Sequence, residues 1–104
     1  MTDKVMLLVL TQLLAWRCPA HLYGTAALMV CASRAIERER KGEPWNAFRV
    51  CQQYAEEKGG VQHSVWVNIA YALKHSKGPG NPAEAINAIV KEAYKHGIID
   101  GGTV

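Results

Sequence analysis

The sequence predicts an all-α fold, a compact bundle of about five helices that contains a helix-turn-helix. Three observations carry this reading. No stretch alternates apolar and polar residues cleanly over six positions, so strand signals are weak. Apolar residues recur instead at helical spacing. Glycines and prolines around positions 19, 42–44, 59–60 and 77–80 then cut the chain into segments of helical length.

Residues 3–17 form the first predicted helix, apolar almost all round and therefore expected to be largely buried. Pro19 stops it, because the residue before a proline is pushed out of the helical region. The second helix is predicted over 21–41. Its first half is small and apolar (Ala26, Ala27, Leu28, Val30, Cys31). Its second half is charged from Arg34 to Lys41, and this end is expected to project into water with Glu37 and Lys41 paired at i,i+4. Residues 44–58 make the third helix, with Pro44 in its first turn and Trp45, Phe48, Cys51 and Ala55 on one face. Gly59-Gly60 ends it.

The fourth helix, 62–76, turns Val65, Ile69, Ala72 and Leu73 toward the core. The stretch from Ser76 to Asn81 is a loop. The fifth helix has the clearest start: Asn81 as N-cap, Pro82 at the first helical position and Glu84 where a capping-box acid belongs. Ile86, Ile89, Val90 and Ala93 are its buried stripe, Lys95 and His96 suit its negative end, and Gly97 stops it. Residues 97–104 read as a loose tail.

The 104 residues suit a single domain spanning 1–104, with a core over about 3–96. Apolar residues make up 49%, enough for one core, and the net charge of +3 is too mild to argue for nucleic acid by itself. Cys18, Cys31 and Cys51 are odd in number and form no C-x-x-C, so they read as reduced thiols of a cytoplasmic protein. The run from Val5 to Leu10 is too short to span a bilayer, and Asp3 beside Lys4 spoils the basic start of a signal peptide. No membrane association is expected.

The third and fourth helices are joined by a Gly-Gly-Val turn, with the small Ala55 four residues before Gly59 and with Val61, Val65 and Ile69 after it. A small residue at a helix crossing, a glycine for a left-handed turn and apolar anchors behind it are the parts of a helix-turn-helix. Further residues carry a resemblance. Leu10-Thr11-Gln12-Leu13-Leu14 leads into Cys18-Pro19-Ala20-His21-Leu22-Tyr23-Gly24. Tyr54-Ala55-Glu56-Glu57-Lys58 precedes Val65, Ile69 and Ala72. Gly80-Asn81-Pro82-Ala83-Glu84-Ala85-Ile86 opens the last helix. In this order, over about residues 7–96, they resemble the DNA-binding effector domain of the sporulation-initiation response regulators of Firmicutes. That family typically shows Val-Pro-Ala-His-Ile-Lys-Gly and a final helix starting Pro-Thr-Asn-Ser-Glu-Phe-Ile.

The resemblance implies a DNA-binding transcriptional regulator whose recognition helix enters the major groove of double-stranded DNA and which works in pairs on adjacent sites. Three departures qualify it. There is no room for a receiver domain. Lys77-Gly78-Pro79-Gly80 replaces an additional helical segment of the family. The fourth helix also lacks the family's arginines, the residues that read guanine with two hydrogen bonds. What remains to contact DNA is Gln62, His63, Ser64, Val67, Asn68 and Tyr71 on the outward face, with Lys58 and Lys74 for phosphates. The same uncharged face supports an alternative, a protein-interaction module of the same fold that forms a homodimer or takes a protein partner through Trp66, Val67 and Tyr71. Trp66 can equally pack inside.

No enzyme is expected. Glu56-Glu57 and Glu37/Glu39 read as solvated helix faces, and there is no phosphate loop or nucleophile motif. No metal or other cofactor is expected, because Cys18-x-x-His21 lacks a second pair. His21 reads as a structural hydrogen-bonding residue at a helix start.

Overall fold

The computed structural model describes residues 3–100. It contains five helices: α1 (Asp3–Ala15), α2 (Tyr23–Arg40), α3 (Ala47–Glu57), α4 (Gln62–Lys74) and α5 (Pro82–Lys95). There is no strand among the described residues, and none of these helices is long and apolar enough to cross a membrane. The fold is an all-α bundle organised around α2, which packs against each of the other four helices. Its small residues make that possible. Ala27, Ala32 and Ala35 let neighbouring helices approach, and Leu28, Cys31 and Ile36 fill the space between them, all six fully buried.

Four of the five helices end in one device. At the ends of α2, α3 and α5, Gly42, Gly59 and Gly97 take φ near +72, +71 and +72. In each case the following residue donates back: Glu43 N to Arg38 O (2.9 Å), Gly60 N to Ala55 O (2.9 Å) and Ile98 N to Ala93 O (2.9 Å). This is the Schellman arrangement, which satisfies carbonyls the helix leaves open. The end of α1 repeats it without a glycine. Arg17 sits at φ 57, and Cys18 N donates to Leu13 O at 3.0 Å. A Cβ in the left-handed region is strained. Arg17→Gly is therefore expected to stabilise the fold by about 0.5–1 kcal/mol, the relief of strain outweighing the added freedom of the unfolded chain. A rise in the urea midpoint at unchanged slope is the check.

The structure corrects several sequence expectations. Helix α1 is buried on one face only, through Val5, Val9 and Leu13, while Leu7, Leu10 and Leu14 are 66%, 40% and 75% exposed. It is an edge helix that touches only α2 and α5, so nothing covers its outer side. The charged half of α2 does not project freely. Arg34 grips Glu57 with two hydrogen bonds of 2.9 and 2.5 Å, and Arg38 donates to Gln53 at 2.8 Å. Glu37 pairs with Arg40 at 3.1 Å rather than with Lys41.

Helix α3 starts at Ala47, not Pro44, because Asn46 is its N-cap and accepts from Arg49 N at 2.8 Å. Its buried stripe is Ala47, Val50, Cys51, Tyr54 and Ala55. That centres the core face near residues 47, 50 and 54 and leaves Phe48 about 100° to one side, 54% exposed. The tail is less loose than expected. Ile98 packs on the core and Ile99 is buried, drawn in by the turn at Gly97; positions 101–104 lie outside the described residues.

The last helix agrees with its sequence signature. Asn81 Oδ1 accepts from Ala83 N (2.8 Å) and Glu84 N (3.2 Å), and Ile86, Ile89, Val90 and Ala93 are buried. The three cysteines are free thiols. Cys31 and Cys51 are buried side by side between α2 and α3. Their mutual hydrogen bond and the loss of solvent hold the Cys31 thiol far above the ordinary thiol range, so it stays protonated and inert.

Candidate nucleic-acid interface on helix α4

The back of α4 is fixed by Val65, Ile69, Ala72 and Leu73, all buried as the pattern predicts. Burying that side leaves the opposite strip to solvent. His63, Ser64, Val67, Asn68, Tyr71 and Lys74 are all exposed along it, and Gln62 is half-buried at its start. Val67 and Tyr71 remain 48% and 53% exposed. The Tyr71 ring meets the His75 ring edge-on at 4.6 Å, which steadies the far end. No acidic residue lies in α4.

Two features set the position of this strip. The first is the turn after α3, where Lys58 caps the helix, Gly59 reverses the chain and Val61 precedes α4 in extended conformation. The second is Gly24. A Cβ built there would lie 1.8 Å from the backbone oxygen of Asn68, so the start of α2 rests directly on the α4 backbone behind the exposed strip. The sequence reading gave Gly24 no physical role. A glycine in the first turn of a helix, with no positive φ to explain it, is the signal of such a crossing.

Around the turn, a cavity of about 330 Å³ brings Lys58, Ser64 and Asn68 together with Tyr23. Tyr23 was not foreseen as part of this surface; it arrives because Gly24 lets α2 approach. Beneath it the Tyr54 ring is bracketed by cations, Lys58 Nζ at 5.7 Å and Arg34 at 5.9 Å from its centroid. Lys58 thus leans over Tyr54 at the rim of the strip. The ion pair of Arg34 with Glu57 neutralises the acid nearest the turn.

Burial pushes the Tyr54 phenol up to about 12, and neighbouring Tyr23 adds to the rise. The folded state therefore holds Tyr54 neutral after the unfolded chain has begun to ionise. The resulting stability is complete below the ordinary value of 10.0 and disappears as pH rises through about 12. Urea midpoints are expected to fall across that alkaline window, and less steeply for Tyr54→Phe. Parallel curves for the two proteins would show that Tyr54 takes no part.

Trp66 does not join Val67 and Tyr71 in one patch. It is half-buried against the core and lines a separate cleft of about 480 Å³ with Trp45, Phe48, Ala83 and Asn87. The reason is angular: Trp66 falls on the flank of α4 that meets the start of α3 and α5. His21 is exposed and makes no hydrogen bond; the turn it was expected to hold is closed by Thr25 Oγ1, which donates to Pro19 O at 2.6 Å. No group of three His, Cys, Asp or Glu side chains suited to a metal ion occurs among the described residues. No protein-family model, no curated protein and no solved structure matches this chain.

Proposed function

We propose that this domain binds double-stranded DNA as a transcriptional regulator, with α4 as its recognition helix in the major groove. The observation that carries the reading is the exposed strip of α4. It is polar apart from Val67 and the Tyr71 ring, free of acid, and presented by a helix whose other side is locked into the core. Gln62, His63, Ser64 and Asn68 supply donors and acceptors for base edges, and Val67 supplies an apolar contact for a thymine methyl. Lys58, Lys74 and the Tyr71 hydroxyl reach phosphates. The likeness of the sequence to sporulation-regulator effector domains supports the same reading. A site in the cytoplasm follows from it, and three reduced cysteines agree.

With only two lysines on the strip, the interaction should be weak and its salt dependence shallow. A slope of log K against log salt of about −2 is expected, at about 0.9 for each of the two phosphates the lysines neutralise. Titration with random duplex DNA at low and then raised salt tests this. Binding that weakens with salt and is reduced by Lys58→Ala and Lys74→Ala supports the reading; absence of binding at low salt overturns it.

The uncovered leucines of α1 favour a second reading, in which the domain associates with protein. Leu7, Leu10 and Leu14 recur at i, i+3 and i+7 and form an apolar ridge. Light scattering on the purified domain separates the two readings. A dimer that Leu14→Glu dissociates, with no affinity for DNA, would establish the second.

A further inference from the structure

A cavity lies away from α4, between the C-terminal end of α2, the segment 44–46 and the face of α3 that carries Arg49, Gln53 and Glu56. It has a volume of about 620 Å³ and is walled by Arg38, Trp45, Asn46, Arg49, Gln53 and Glu56. That volume falls within the range of small-molecule sites. Its walls are held in place from outside. The Trp45 Nε1–H donates to Glu39 Oε1 at 2.5 Å, and Glu39 also accepts from the Tyr94 hydroxyl. The first bond holds the indole by its edge, and the second holds the carboxylate that accepts it. Arg38 is fixed by one hydrogen bond from Nη2 to Gln53 Oε1 at 2.8 Å, which leaves most of its fork unused. The Arg49 side chain makes no ion pair or hydrogen bond, although its backbone N–H caps α3 on Asn46.

The charges facing the cavity are two guanidiniums and one carboxylate, Glu56; Glu39 is turned to Trp45 and Tyr94. The positive end of the α3 dipole adds to the guanidinium side. Two forks that match a carboxylate or phosphate, next to a flat indole, suit an anion joined to a planar ring. Glu56 lies on the same face of α3 as Arg49, two turns further on, so the anion belongs at the Arg49 end of the cavity, away from it. We propose that this cavity binds an anion joined to a planar aromatic ring, a nucleoside monophosphate being the common form. The ring lies on Trp45 and the phosphate between Arg38 and Arg49. This site is independent of the DNA reading.

The test is titration of the whole chain with adenosine monophosphate, followed through the three indole N–H signals in the NMR spectrum, that of Trp45 assigned by its loss in Trp45→Phe. Saturation of the Trp45 signal below millimolar concentration is expected, with Trp16 little moved. Adenosine and ribose 5-phosphate, each lacking half of the ligand, should bind at least tenfold more weakly. Arg49→Ala should weaken binding at least tenfold; since Arg49 is exposed, an unchanged signal of Trp16, which does not line the cavity, will show that the fold is intact. No saturation in the millimolar range, adenosine binding as tightly as the monophosphate, or an unaltered affinity in Arg49→Ala would each overturn the proposal.

Discussion

Replacing Gly24 with alanine is expected to destabilise the fold by about 3 kcal/mol or more, at or beyond the upper end of the usual cost of overpacking. The new methyl would sit 1.8 Å from Asn68 O, 2.4 Å from Asn68 C and 2.9 Å from Ile69 N. All three are backbone atoms inside α4, so no rotamer change relieves the clash. Either α2 lifts off α4, or the α4 backbone breaks its own ladder. Against a total stability of about 5–15 kcal/mol, that loss removes roughly a fifth to three fifths of the folding free energy, unless the two helices move apart. Gly42→Ala is the control. Nothing lies within 4 Å of a Cβ there, and the residue bears only a left-handed φ of +72, so a cost of about 1–2 kcal/mol is expected. Urea unfolding of the two variants separates close approach from backbone strain. Equal midpoints would mean that α2 and α4 are not in the contact described.

The same contact explains what the sequence could and could not reveal. Core stripes on α4 and α5 were legible because both helices bury one face, and the period of their apolar residues marks that face directly. The Asn81 cap was legible because its bonds are local: a side chain to backbone N–H groups two and three residues on. Helix α1 misled because its composition is apolar on every side, while burial depends on how many neighbours reach it, and only two do. Helix α3 misled by one angular step. Phe48 looked like a core residue by hydrophobicity, yet the stripe runs through Ala47, Val50 and Tyr54 and leaves it exposed, while Trp45 lies before the helix and packs against the core.

The outward residues of α4 were found because they are the complement of its core face. Tyr23 was not, since its place beside Lys58, Ser64 and Asn68 depends on a contact between residues far apart in sequence. The cavity around Trp45 depends on Arg38 and Gln53 meeting across two helices, and no local pattern encodes that meeting.

Leu28→Ala should cost about 4 kcal/mol, within the range measured for leucine truncation at rigid, fully buried sites. Leu28 is fully buried in α2, which like α5 touches all four other helices. Its neighbours are held by contacts on their far sides, so the space left by the isobutyl group closes only in part and the cavity penalty adds to the lost transfer energy. The informative comparison is Leu14→Ala, the same truncation on α1 at a residue 75% exposed. There the change should stay within about 0.5 kcal/mol. Both variants should keep the wild-type urea slope, because neither alters the surface exposed on unfolding by more than a few atoms. The pair also bears on function. Leu28 is remote from solvent, so at temperatures where Leu28→Ala is still folded its affinity for DNA should match the wild type. Leu14→Ala should change association between copies if α1 is an interface, and leave it untouched if the leucine ridge is only the bare side of an edge helix. A large loss of stability in Leu14→Ala would instead mean that α1 is covered in solution, and would move the weight of the argument from α4 to the leucine ridge.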